Sequence, residues 1–341
     1  MNNLVLFNNS TRNKLLNKRL GESKFGQHIQ ILTSISNIYE QLKNLDVSYV
    51  ILGIPEDIGV FANLGKRGTS KTWNVTLKAL LNIQNNSFIE ATKVLILGHL
   101  DFSKELLEVS MLDASKKKDL LKARDFVEKI DAAVSHLIYQ IVLAGKTPII
   151  IGGGHNNAYG NIKGTSLALN QAINVVNFDA HSDFRAEEGR HSGNGFSYAF
   201  GEGFLANYFV FGLHENYTSN AIFKTFANLK NIKYNTFEAL EIRKDLKFKS
   251  ELERASKHIA NTQYGIEIDC DAIQDIPSSA QTPSGFSVNK TRHFINHFAK
   301  HKNATYLHIC EAAPTKDSSA LVGKLITYFI TDFIKANKNN G

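Results

Sequence analysis

The chain has 341 residues, 43% hydrophobic and 21% charged, with a formal net charge of +7 and a pI near 9.1; this is ordinary globular composition, ample for a sizeable core. There is no run of eighteen apolar residues, and Met1 to Arg12 lacks the apolar stretch of a secretory signal, so no membrane span and no membrane partner are expected. The basic balance raises nucleic acid as a partner, but its one notable run, Lys116-Lys117-Lys118, reads as a solvated face without a binding motif; a small, acidic molecule suits a mildly basic surface better.

Taken in chain order, residues 1 to 45 read as an N-terminal helical extension packed on the main domain, with Ile31, Ile35, Ile38 and Leu42 at helical spacing. Residues 46 to 341 read as a single unit. Tyr49 to Ile54 is a buried strand, ended by Gly53 and Pro55, and a second apolar run, Val94 to Leu97, stops at Gly98-His99. Lys118 to Ala144 carries the clearest helical stripe (Phe126, Ile130, Val134, Leu137, Ile138, Ile141), with Gly145 as its stop signal. Strands then recur at Pro148 to Ile151, Ile173 to Phe178, Tyr208 to Phe211, Tyr264 to Ile268 and Thr305 to Ile309. Helical patterns such as Phe294 to Lys300 and Leu321 to Ala336 accompany them. Strands alternating with helices predict an α/β fold, a doubly wound and mainly parallel sheet flanked by helices. The two cysteines, Cys270 and Cys310, cannot make a disulfide framework, which favours a reducing cytoplasm.

Four of these strands end in metal-competent or charged residues: His155, the group Asp179-Ala180-His181-Ser182-Asp183, the pair Asp269 and Asp271, and Glu311. In an open α/β sheet such ends converge on one edge, where ligands bind. Asp179 and His181 share one side of the extended chain, as do Asp269 and Asp271, while Cys270 faces away and reads as core. Four carboxylates at one edge would repel and raise one another's pKa. Two divalent ions balance Asp179, Asp183, Asp269 and Asp271, and an oxygen-rich set with two imidazoles suits manganese, with zinc, iron or cobalt as alternatives. Two such ions roughly 3.5–4 Å apart activate a water at neutral pH, which predicts a hydrolase acting on a poorly electrophilic centre.

Gly152-Gly153-Gly154-His155, Asp179 to Asp183 and Asp269-Cys270-Asp271, in this order, resemble the ureohydrolases, the superfamily of arginase, agmatinase and formimidoylglutamase. The resemblance runs from about Tyr49 to the C-terminus and implies an arginase-like three-layer α/β/α architecture. It implies one metal held by His155, Asp179, Asp183 and Asp269, and a second held by His181, Asp179, Asp269 and Asp271. Asp179 and Asp269 would bridge, Asp271 would pass a proton to the leaving amine, and Glu311 would pair with the cationic nitrogen end of the substrate. The resemblance also carries an expectation of homo-oligomers.

Gly154, where arginases usually have aspartate, together with the Gly53 to Val60 segment and Arg185, is similar to formimidoylglutamase. Arg185, with Arg190 nearby, is expected to pair with a substrate carboxylate, and Ser192 and Asn194 resemble the arginase segment that holds the amino-acid end. Two positions depart from the family pattern. Phe196 replaces the arginase shuttle histidine, for which His191 is the candidate substitute; a loop histidine without a role is the competing reading. Glu267 stands where a small hydroxyl residue is usual, and reads either as a carboxylate supporting the ligands or as a plain salt bridge. His293, His297 and His301 lie at helical spacing without an acidic companion and read as a solvated helix face. For His214, shaping the pocket and a purely structural role both fit.

The expected activity is hydrolysis of an amidine C–N bond, with N-formimidoyl-L-glutamate as the preferred substrate, giving L-glutamate and formamide in histidine breakdown. The alternatives are a guanidino hydrolase that releases urea and a non-catalytic metal-binding scaffold.

Overall fold

The computed structural model describes residues 3–34 and 36–337. Among these, nine strands form one sheet: β1 (Leu4–Leu6), β2 (Tyr49–Gly53), β3 (Val94–Leu100), β4 (Thr147–Ile151), β5 (Ile173–Phe178), β6 (Leu205–Leu213), β7 (Ile232–Thr236), β8 (Tyr264–Asp269) and β9 (Ala304–Cys310). The order is β1-β3-β2-β4-β9-β8-β5-β6-β7, parallel throughout except for β1, which runs antiparallel to β3. This is the α/β fold that the alternation of strands and helices predicts, a mainly parallel sheet flanked by helices.

The strands are apolar at consecutive positions because both faces of the sheet are covered. Ile149, Ile151, Phe178, Ile266 and Ile268 pack on one face with the helices Thr72–Leu80, Val288–Ala299 and Ser319–Asn337. Val50, Leu52, Ile150, Val175 and Val210 pack on the other, under Lys117–Leu143 and Asn157–Leu169. The long helix that the sequence stripe predicts is present and begins one residue earlier, at Lys117.

The N-terminal region is corrected. It is not a helical extension: Leu4–Leu6 joins the sheet beside β3, and helix appears only at Asn9–Leu15 and Ile38–Asn44. Ile31 precedes the second helix in irregular chain, and Ile35 lies outside the described residues. The apolar spacing there reflects burial of Leu32, Ile38 and Leu42 beside the sheet, which loop and helix achieve together.

The strands that bear on function are β4, β9, β8 and β5, four neighbours at the centre of the sheet. The chain crosses from β4 to β5 past the places later filled by β9 and β8, so the strand order reverses there. A crevice outside the carboxyl ends opens at such a switch point.

Candidate metal centre

The loop after β4 brings the first imidazole into place. Gly152 and Gly153 have φ of +84° and +79°, and a β-carbon on Gly153 would strike the Asn157 amide and the Ile54 carbonyl oxygen. The buried Glu56 carboxylate fixes this turn, accepting from Gly154 N at 3.1 Å, Asn157 Nδ2 at 2.7 Å and Ile58 N at 2.7 Å. His155 is thereby buried at the head of the helix Asn157–Leu169.

Asp179 and Asp269 leave the ends of β5 and β8 into the same space. Each has one oxygen tied to its own loop: Asp179 Oδ1 accepts from His181 N at 2.7 Å, and Asp269 Oδ1 from Asp271 N at 2.8 Å. His155 Nδ1 lies 2.8 Å from Asp183 Oδ2, 3.1 Å from Asp269 Oδ2 and 3.3 Å from Asp179 Oδ2. His181 Nδ1 lies 2.9 Å from Asp271 Oδ2 and 3.7 Å from Asp179 Oδ1. Two donor groups face the cavity side, His155 with Asp179, Asp183 and Asp269, and His181 with Asp179 and Asp271, and they share Asp179; a third, fully buried, gathers His155, His308 and Cys310.

These groups fit divalent ions. His155 Nδ1 is buried among three carboxylate oxygens yet forms no directed hydrogen bond, and Asp271 Oδ1 is likewise buried without a partner. Donor atoms that crowd together without bonding one another are arranged for a shared cation. The electrostatics agree. Burial pushes the His155 imidazole down, but the Cys310 sulfur and the carboxylates of Asp179, Asp183 and Asp269 outweigh it and push it well above its ordinary value. Burial, then Asp179, pushes Asp183 up to about 6, and burial with Asp271 and Asp179 pushes Asp269 well up. Such a cluster demands positive charge. Asp183 also sits at φ 44° and Glu311 at φ 59°, left-handed conformations that cost energy for a residue with a side chain and that gather at functional sites.

Above the cluster opens a cavity of about 550 Å³, lined by Asp183, Asp269, Asp271, His181, Glu311 and Arg185 among others. Glu311 is buried; its Oε1 accepts from His155 N at 2.7 Å and its Oε2 from the Ser279 hydroxyl. Burial raises its carboxyl to about 8. Across the cavity, Arg185 is half exposed and bonded through Nη1 to Asn63 Oδ1 at 2.8 Å, with donors to spare. Ser192 also lines the cavity and accepts from Asn63 Nδ2 at 3.1 Å.

Three expected site residues are corrected. Arg190 is buried and committed to structure: Nε reaches Asp131 at 2.8 Å, Nη2 the Asn156 carbonyl at 3.0 Å, and the guanidinium stacks on Tyr159 and Tyr198. It lines a separate cleft of about 740 Å³ between the helices Lys117–Leu143 and Asn157–Leu169. Asn194 is fully buried and bonds to Arg190, His191 N, Ala186 O and Gly189 O, which holds its own loop and leaves nothing for a substrate. His191 is fully buried and does not line the cavity; its Nδ1 accepts from Gly193 N at 3.1 Å. Burial, with Arg124, Arg185 and Arg190, pushes it down to about 3, so the imidazole is uncharged at neutral pH.

Other positions resolve alternatives or were missed. Glu267 faces His308, Tyr306 and His155; burial acts to raise it, but His308 and His155 outweigh this and hold it at about 2, so it is ionised. His214 stacks between Tyr217 and Phe237, and Tyr217 in turn stacks on His181 at 5.4 Å. Asn177 donates to Asp179 Oδ2 at 2.8 Å; its place on the strand two residues before Asp179 was the available signal. Ser279 gave no signal, because a loop far along the chain delivers it to Glu311. His297 bonds Ser256 and His301 packs edge-on to Tyr264, so the histidine row is partly a packing surface.

A parallel sheet with a carboxylate–imidazole pocket at the ends of its central strands defines an α/β enzyme of metal-competent type. The chain belongs to the arginase family, whose model matches residues 47–333, and is a hydrolase acting on amidine or guanidino substrates. Among curated relatives, a formimidoylglutamase of Streptococcus pyogenes serotype M12 (strain MGAS2096) is 24% identical over 291 residues, 83% of this chain and 82% of the relative. A formimidoylglutamase of Bacillus subtilis has the same fold at a TM-score of 0.72 and 17% identity, with 95% of each chain covered. Trypanosoma cruzi formiminoglutamase with Mn2+2 superposes at a TM-score of 0.69 and 18% identity, covering 92% of this chain and 98% of that one. Among the described residues no helix is long and apolar enough to cross a membrane.

Proposed function

We propose that this chain hydrolyses N-formimidoyl-L-glutamate to L-glutamate and formamide with two manganese ions. The observation that carries the substrate is the pairing, in one cavity, of a buried carboxylate (Glu311) with a half-exposed guanidinium (Arg185). An amidinium suits the first and a carboxylate the second. The formimidoylglutamase relatives and the Mn2+2 in the Trypanosoma cruzi structure support the reading.

His155, Asp179, Asp183 and Asp269 would hold one ion, and His181, Asp179 and Asp271 the other; Asp269 as a second bridging ligand is what the family resemblance implies. When bound, the pair supplies the positive charge that makes a water nucleophilic at neutral pH. The cationic amidine favours the ionised form of Glu311, which then orients it by accepting its N–H groups. Water adds its oxygen to the amidine carbon, and the bond from that carbon to the glutamate nitrogen breaks. Asp271, whose Oδ1 is free of other partners, carries the proton to that nitrogen. Formamide leaves with the carbon and the unsubstituted nitrogen. Arg185 with Asn63, and Ser192 beside them, position the glutamate carboxylates. The size of the cavity suits a small substrate.

Product analysis tests this. Manganese-loaded protein should release formamide and glutamate in equal amounts from N-formimidoyl-L-glutamate. Urea from arginine, agmatine or another guanidino compound, with no formamide, would sink the substrate assignment.

A further inference from the structure

The other ring nitrogen of His155 faces a second buried group that metal ligation does not use. β8 and β9 pair Glu267 with His308 in direct register, so both side chains leave the same face of the sheet. His308 Nδ1 lies 2.5 Å from Glu267 Oε2, and the Tyr306 hydroxyl donates to Oε1 at 2.8 Å. All three residues, like His155, are fully buried. Gly265 completes the arrangement: a β-carbon there would fall on the Tyr306 ring, so its absence makes the room in which Tyr306 reaches Glu267. Glu267 Oε2 is 3.6 Å from His155 Nε2, and that nitrogen has no hydrogen-bond partner among the described residues.

A carboxylate at the centre of a sheet is costly to bury unless it is paired and hydrogen-bonded. Here Tyr306 and His308 hold it in one orientation, with an unpartnered imidazole nitrogen beside it. Carboxylates in this position fix the tautomer of a metal-binding histidine and raise its basicity.

We propose that Glu267 is a positioning residue for His155: it accepts from Nε2–H, so that the Nδ1 lone pair points into the Asp179, Asp183 and Asp269 cluster. Tyr306 and His308 act one step further out by orienting Glu267. The inference rests on the metal-centre reading above, and it assigns the charged support to one of the two ions only. Among the described residues His181 has no such carboxylate behind it; it is partly exposed and stacks on Tyr217.

The test is a calorimetric Mn2+ titration of the chelator-treated full-length chain, with bound metal counted, for the wild type, Glu267→Gln and Tyr306→Phe. Circular dichroism and Tm report folding in each case. Glu267→Gln should weaken one binding event by about 10- to 100-fold and leave the other unchanged. Tyr306→Phe should weaken the same event by a smaller factor. Wild-type affinity at both sites in folded Glu267→Gln overturns the inference, as does an equal loss at both sites, which is what general loosening of the structure would give. Should Glu267→Gln fail to fold, Tyr306→Phe decides by the same criterion. A wild type that takes up fewer than two ions overturns the metal-centre reading itself, a result distinct from either.

Discussion

Arg185 and Arg190 stand five residues apart on one loop and do opposite things. Arg185 is half exposed and looks into the cavity, whereas Arg190 is buried against Asp131 and two tyrosines and looks out of it. The floor of the same cavity shows no such divergence: His155, Asp179, His181, Asp183, Asp269 and Asp271 converge as a set. The floor is built from residues at or just beyond strand ends, and strand geometry directs them. The rim is built from a loop whose path is set by its own hydrogen bonds, chiefly those of Asn194 and Arg190. In the proposed function, one region would carry chemistry by position in the sheet and the other selectivity by local folding.

The comparison can be broken in four places. The largest effect is expected on the floor. Asp271→Ala should lower kcat by about 10²- to 10⁴-fold while leaving circular dichroism and Tm near wild type, and retained turnover would refute its role. Next comes the structural arginine. Arg190→Ala leaves Asp131 buried and unpaired and should cost about 3–5 kcal/mol in urea unfolding; a stability loss below 1 kcal/mol, on the order of a surface change, would return Arg190 to the list of substrate ligands. Arg185→Ala should do the reverse, raising KM about 10- to 100-fold through loss of a charge-assisted bond of roughly 1.5–3 kcal/mol, with Tm unchanged.

The smallest effect concerns His191, whose ordinary value of 6.5 is pushed down to about 3 by burial and the arginines around it. Between these values the unfolded chain binds a proton that the folded chain does not, so stability rises with pH across that window and falls as the medium is acidified. The slope is at most about 1.4 kcal/mol per pH unit. His191→Asn should flatten the fall in urea-unfolding stability between pH 6.5 and 5. An equally steep fall in the variant would show that another group is responsible.

Much of the floor was legible because its signals are local. Asp179 and His181 need only a strand end and period-two alternation to share a side, and the Gly152-Gly153 turn announces itself by composition. Burial of the central strands was legible too, as continuous apolar runs. Two strands were not. β7, with the sequence Ile-Lys-Tyr-Asn-Thr, carries little apolar signal, and β1 is three residues whose pairing with β3 depends on a long-range contact. The rim was illegible for the same reason: which of two arginines enters the cavity depends on Asp131, more than fifty residues earlier and on another element. Glu267 shows the limit in a different form. Its face of the strand could be read, but its partner across the ladder, His308, required the register of β8 with β9.

The central claim is that the floor performs the hydrolysis and the rim selects an acidic substrate. It is tested most directly by the ratio of kcat/KM for N-formimidoyl-L-glutamate to that for an uncharged N-alkylformamidine, in the wild type and in Arg185→Ala, both loaded with manganese. The account predicts that the ratio strongly favours the glutamate derivative in the wild type and falls by about 10- to 100-fold in the variant, with the alkylformamidine rate little changed. An unchanged ratio, or a loss shared equally by both substrates, would contradict it.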